Sequence, residues 1–270
     1  MVALSDWAAL FQEIAMLSLD HRPRVGFTLI EFLIVFVVDL FIVGLLMSAV
    51  QRARDAARRI ETVNNLKQIG IGLHVYHDST NAFPSENASS AEGMANGGKA
   101  ISFYTDLLPY VEQNSMSLTN PTGIRVFTCP SRRILTVGAP PVADFGYQAT
   151  TVGNLRIDAV LDSPINAGLG QITNQNGSSN TLMLSIVSDK PSDYANYSLP
   201  FSWPAPNHGT KGTAFTKDSE AVTSGVGIGG PYPAIPSLYV DGHVTNIPTP
   251  SSSVYPMLWS FSNNMPFAAP

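Results

Sequence analysis

The chain has 270 residues and a mass of 28.9 kDa, enough for one sizeable domain or for one domain with an anchor. Charged residues make up 13%, and a formal net charge of -5 carries no electrostatic footprint of a nucleic-acid partner. The single cysteine, Cys129, excludes an intrachain disulfide framework and any multi-cysteine metal site; it is either buried and inert or free to pair between chains.

Met1 to Leu17 has a helical pattern without targeting logic of its own. From His21 the sequence runs HRPRVGFTLIEFLIVFVVDLFIVGLLMSAV. Arg22 and Arg24 precede Gly26 and Phe27, an acid follows at Glu31, and then the chain is almost wholly apolar. A secretory signal peptide would be cut after its apolar segment, at small residues. The one candidate there, near Ala49, has bulky Met47 two positions before it.

The pattern resembles the class III signal of type IV prepilins and type II secretion pseudopilins. The resemblance implies that a prepilin peptidase cuts between Gly26 and Phe27 and methylates the new terminal amine, while the apolar helix stays with the mature chain. It makes residues 1–26 a leader, and starting at Met16 would shorten that leader without changing the product. Glu31 becomes the fifth mature residue, where the family has its assembly glutamate.

As a helix, Phe27 to Val50 would be about 36 Å long, enough to cross a bilayer core of ~30 Å. Glu31 lies near the end of this run, where an unpaired carboxylate in lipid is costly. A neighbouring subunit's terminal ammonium would neutralise it and set a register for stacking; alternatively it reaches the headgroups. Asp39 lies mid-span, where the family has an aliphatic residue. It either pairs with an amine or partner helix, or is protonated and tolerated, at ~2.5–3.5 kcal/mol on insertion scales. Ser48 stands where the family often has a helix-bending proline. The positive-inside rule, applied to Arg52, Arg54, Arg58 and Arg59, opposes an exported C-terminal side. A cleavage motif must nevertheless face a cytoplasmic active site, and the prepilin orientation follows from it.

Beyond the span, Ala53, Ala56, Ile60, Val63, Leu66, Gly70, Leu73 and His77 recur at intervals of three and four and mark one apolar stripe. Asp55 and Arg59 form an i, i+4 pair opposite it. One helix is therefore expected from about Thr28 to Asp78, its second half packed on a sheet. Ala49 to Pro84 is also similar to a large pilin-like family with a C-terminal His-x9-Asp-Gly motif. That family commonly has a cysteine near Thr62 whose partner would be Cys129, which the resemblance therefore leaves unpaired here.

Asn81 to Lys99 reads as a loop, and Ser102 to Gln113 as a helix interrupted by Pro109. Short β-prone runs follow at Ile124 to Thr128, Phe145 to Thr151, Thr181 to Val187, Leu238 to Val240 and Val244 to Ile247. Asp241-Gly242 reads as a two-residue hairpin turn. Ser224 to Pro236 and Pro248 to Pro256 read as surface loops or a tail. The only pairing for a His-x9-Asp-Gly motif is His208 with Asp241-Gly242, separated by an insertion, Thr210 to Pro236, and a structural role is the simpler one.

His74 and His77 have a spacing that can chelate a metal, but no HExxH glutamate accompanies them and packing is favoured. No nucleophile elbow or phosphate-binding glycine pattern occurs. Asp218 or Asp241 as calcium ligands lack an acidic cluster around them.

The fold expected is α+β: a long N-terminal helix, transmembrane in its first half, packed on a small antiparallel sheet head. Residues 27–50 form the membrane or filament-core helix and 51–270 the helix continuation and head. The function expected is a structural subunit of a type IV pilus-like or type II secretion pseudopilus-like filament, with no enzyme activity, cofactor or metal. The alternative is a single-helix, membrane-anchored binding or adhesion module. The expected partners are the prepilin peptidase/methyltransferase, other pilin-like subunits and the inner membrane, with the head extracytoplasmic.

Overall fold

The computed structural model describes residues 26, 28–86, 102–111, 121–136, 138–148, 151–152, 155–156, 159–161, 167–194, 209–210, 215–223, 227–248 and 258–260. The leader before Gly26, Phe27, residues 87–99, His208 and 249–256 lie outside them.

Helix α1, Leu29–Thr80, is 52 residues long. From Leu29 to Val50 every residue is exposed. β-Branched residues crowd this half (Ile30, Ile34, Val35, Val37, Val38), and they are indifferent helix formers in water. A helix suits them in an apolar medium, because it satisfies every backbone group internally. α1 is long and apolar enough to cross a membrane by length and composition.

From Ala53 onward α1 belongs to the head, and there it buries Thr62, Asn65, Leu66, Ile69, Gly70, Gly72 and Leu73. The expected stripe is thus correct only from Leu66. Ala53, Ala56 and Ile60 are exposed, and the first buried residue of the helix is Thr62. Asp55 pairs with Arg58 at 3.9 Å, while Arg59 lies over the Tyr232 ring at 5.8 Å, so the i, i+4 pair gives way to an i, i+3 pair. The helix ends as Asn81 turns left-handed, φ 58°, and its N–H returns to His77 O at 2.7 Å.

The main sheet has five strands in the order β5-β1-β4-β8-β9: Gly209–Thr210, Phe145–Gln148, Leu182–Ile186, Ala234–Tyr239 and Val244–Pro248. β1, β4, β8 and β9 pair antiparallel, and β5 joins β1 in parallel. Two small pairs complete the strands: β2 with β3 (Thr151–Val152, Leu155–Arg156) and, in parallel, β6 with β7 (Phe215–Lys217, Ile228–Gly230). The α+β class with an antiparallel sheet holds.

Three expectations change in detail. Ile124 to Thr128 is no strand: Arg125–Phe127 is a 3-10 turn, and Asn65 Nδ2 donates to both Arg125 O and Thr128 O at 3.0 Å. A side chain from α1 thus takes two carbonyls that a neighbouring strand would have used. The β8–β9 connection is longer than a two-residue turn. Gly242 N closes onto Tyr239 O at 3.0 Å, Tyr239 N onto His243 O at 2.9 Å, and Gly242 sits at φ 87°. Finally, Ser224 to Pro236 is no surface loop over its described part, since Gly227 to Gly230 are buried. β8 starts at Ala234 and tolerates Pro236 because the β4 register ends at Ser185↔Ser237.

Helix and sheet meet closely at Gly70, where a Cβ would fall 2.9 Å from Leu238 Cδ1. Short helix α2, Phe103–Leu107, runs into a 3-10 turn at Leu108–Val111, as Pro109 requires, and Ser102 Oγ caps it by accepting Tyr104 N at 3.2 Å. Tyr104, fully buried, donates its hydroxyl to Phe145 O at 2.8 Å. Helix α3, Leu169–Gln175, has no side-chain cap of its own. His77 Nε2 instead accepts Leu169 N at 3.0 Å, and the His77 ring lies tilted against Phe83, centroids 4.8 Å apart.

Candidate functional site

Two regions hold the residues that can carry function, and each stands on its own. At the start of α1, Gly26 is exposed and a Cβ there would meet nothing within 4 Å, so the fold itself makes no demand for glycine. Thr28 and Glu31 form a reciprocal cap. Thr28 N and Oγ1 both donate to Glu31 Oε2 at 2.8 Å, and Glu31 N donates to Thr28 Oγ1 at 3.3 Å. This is the T-x-x-E capping box, legible in Thr-Leu-Ile-Glu but overlooked beside the resemblance. Glu31 therefore caps the start of its own helix. Asp39 is exposed on the apolar half, and Ser48 Oγ donates to Leu45 O at 2.9 Å, a back-bond of the kind that bends helices.

In the head, five charged side chains gather without any spacing pattern to announce them. Arg132 donates from Nε and Nη2 to the two oxygens of Asp218, at 2.9 and 2.8 Å, and lies 3.4 Å from Asp144. Arg133 Nη2 reaches Asp189 at 2.8 Å and Asp144 at 3.1 Å. All five side chains are 3% exposed or less. Burial works against the Arg132 charge, but Asp218 and Asp144 outweigh it and raise its pKa. Asp144 also accepts Cys129 N at 2.7 Å, and Tyr194 donates to Asp218. Asp218 is thus spoken for by an arginine, which answers the calcium reading at that residue. It comes from the stretch read as an insertion, so that stretch completes the core.

Cys129 is fully buried, and burial pushes its thiol pKa up, which makes it inert. Its Sγ lies 3.6 Å from Thr62 Oγ1, the position expected to hold the partner cysteine in the similar family. Thr62 donates to Arg58 O at 2.9 Å, so Tyr232 OH donates to Thr62 at 2.8 Å and Ser131 Oγ to Tyr232 OH at 2.7 Å. The hydroxyl chain fills the space that a disulfide would have spanned.

The remaining motifs resolve structurally. His74 packs edge-on to Phe83 at 5.7 Å, and no group of three or more metal-ligating side chains occurs among the described residues. Asp241 holds His243 through N–H and ring contacts in the hairpin, with His243 stacked 4.2 Å from Tyr239. A cleft of about 280 Å³ opens between α1 and the segment after Phe127.

These features define a class: an α+β head whose first helix begins as an exposed apolar segment of membrane-spanning length. A family model described as "Protein of unknown function (DUF1559)" matches residues 51–253, and the chain belongs to that family. The match starts one residue after Val50, so it covers the head and leaves the Gly26-Phe27 junction and Glu31 outside. It gives no support to a His-x9-Asp-Gly motif. No curated protein and no solved structure matches the chain.

Proposed function

We propose that the chain is a structural subunit of a pilus-like or type II secretion pseudopilus-like filament, released from its leader by a cut between Gly26 and Phe27. The observation that carries this reading is α1. From Leu29 to Val50 it shows apolar side chains on every side, whereas from Thr62 onward one face is buried in the head. An apolar helix exposed all round needs either lipid or other helices. A filament core of packed helices supplies the second after the bilayer has supplied the first. The Gly-Phe junction separates this use from that of a signal sequence, since the cut precedes the apolar segment. The partners are the peptidase that cuts and methylates, the inner membrane and further pilin-like subunits; the head lies outside the cytoplasm, and its work is assembly rather than catalysis.

Glu31 supplies the register. Its Oε2 is occupied by Thr28, and a neighbour's terminal ammonium would take the charge that remains. The test exploits the capping box, which accepts glutamine as well as glutamate. Glu31→Gln keeps the cap and removes the charge, whereas Glu31→Leu removes both. Crosslinking between subunits in membranes of the host should fall sharply, and equally, in both variants while insertion persists. Loss in Glu31→Leu alone assigns the residue to capping. Crosslinking unchanged in both rejects the filament register and supports an anchored binding or adhesion module, the reading that exposed Asp39, midway along the apolar half, favours.

A further inference from the structure

We propose that the cleft beside Arg133 is an oxyanion site, built for a phosphate or carboxylate group. It is lined by Arg58 and Glu61 from α1 and by Arg125, Arg133, Ile134 and Leu135. The site stands whether or not the chain forms filaments.

The first observation is an incomplete guanidinium. The Arg133 side chain is 1% exposed, and Asp144 and Asp189 both engage its Nη2. Its Nε and Nη1 are buried and meet no acceptor among the described residues. Buried donors on a charged group almost always have partners, and an ion or water absent from the structure is a standing explanation for those that lack one. The second observation is the rim. Arg58 and Arg125, with side chains 42% and 81% exposed, line the same cleft, so three arginines contribute to it.

The acids nearby set what can bind. Glu61, the one acid in the lining, pairs with Arg125 at 3.1 Å, and Asp55 lies 3.9 Å from Arg58. Asp144 and Asp189 hold the Nη2 end of Arg133 and leave its other donors unmet. A cation would face three like charges, and an apolar ligand would leave Nε and Nη1 without acceptors. An oxyanion offers several acceptors to planar, multi-donor groups, the geometry at which arginine excels. Ile134 and Leu135 add apolar side chains to the lining, Ile134 itself 73% exposed. The volume, just below the ~300–1,000 Å³ of drug-sized pockets, suits a small group.

The experiment uses the full chain in a neutral detergent. Inorganic phosphate and acetate are titrated separately at constant ionic strength, with chloride as the balancing salt, and Tm is followed. A saturable rise in Tm with either ion is expected. Its midpoint should move to about tenfold higher concentration or beyond in the Arg58→Gln/Arg125→Gln variant, since each charge-assisted contact is worth that much. Both replaced side chains lie on the rim, and circular dichroism checks that the fold is kept. A response to phosphate alone assigns the phosphate class, to acetate alone the carboxylate class. Replacing the free ion by micelles doped with anionic phospholipid separates a lipid headgroup from a free phosphate. A saturable response to neither ion overturns the site, and so does an equal response in the double variant.

Discussion

Thr62 Oγ1 stands 3.6 Å from Cys129 Sγ, across 67 positions of sequence, with Tyr232 hydroxyl bonded to the threonine and 3.7 Å from the sulfur. The contact joins α1 to the segment that feeds the buried charge cluster, because Arg132 and Arg133 follow Cys129 three and four positions on.

Thr62→Cys should therefore form a disulfide with Cys129 under oxidising conditions. A link of this loop length stabilises by about 2–4 kcal/mol, against about 1 kcal/mol for the lost Thr62–Tyr232 bond. The oxidised variant should melt above its reduced form, and intact mass should show two hydrogens missing. Two free thiols after oxidation would mean that the backbones are too far apart for the link.

Asp218→Asn should unfold the head or bring it close to unfolding. Arg132 would keep its charge, lose its two-oxygen partner and remain buried, a loss of about 3–5 kcal/mol for breaking one side of a buried pair. Denaturant unfolding of the chain in detergent measures this directly. A change under about 1 kcal/mol, the level of an exposed pair, would show that the cluster is solvated.

The head should lose stability on the alkaline side. Burial holds the Tyr104 pKa well above the usual 10.0, with Glu86 and Asp144 adding to the effect, so the folded state keeps a proton that the unfolded state gives up. The stabilisation is complete below pH 10 and declines as pH rises above it, by about 1.4 kcal/mol per pH unit for this tyrosine. Tyr104→Phe loses the bond to Phe145 O, yet its stability should fall less steeply with pH above 10. Equal slopes in the two proteins would remove Tyr104 as the source.

Processing has its own readout. Mass spectrometry of the protein from its host should find Phe27 as a methylated N-terminus. Gly26→Ala should still be cut, slowly, because no described residue opposes a methyl there, whereas a bulky residue should block cutting. An intact leader in the inserted pool, with peptidase present, would reject the cleavage.

The long helix, the α+β class and β1, β4, β9 and the end of β8 were legible because each rests on a local period or a turn residue, whereas β3, β5, β6 and β7 were not. His77 lies against Phe83, and its hydrogen-bond partner, the N–H of Leu169, had no signature in the sequence. What escaped were relations between distant residues. Ile124 to Thr128 alternates like a strand, but Asn65 takes its carbonyls. The apolar stripe was drawn too far toward the N-terminus because periodicity cannot say where the covering sheet stops. The charge cluster draws on Arg132, Arg133, Asp144, Asp189 and Asp218, and no spacing links five positions that meet only in the folded state. Its one trace was a pair of adjacent arginines in an apolar neighbourhood.

The way the head closes sets a timetable. Ribosomes release the chain from its N-terminus, so α1 is made long before what covers it. Thr62 waits for Tyr232, Gly70 for Leu238, and Arg132 for Asp218. None of the three contacts can form until more than two hundred residues have been synthesised. The nascent chain thus carries an uncovered helix face through most of its synthesis and Arg132 without Asp218 from residue 132 to residue 218, and a premature stop anywhere before Leu238 yields a product that cannot close its core.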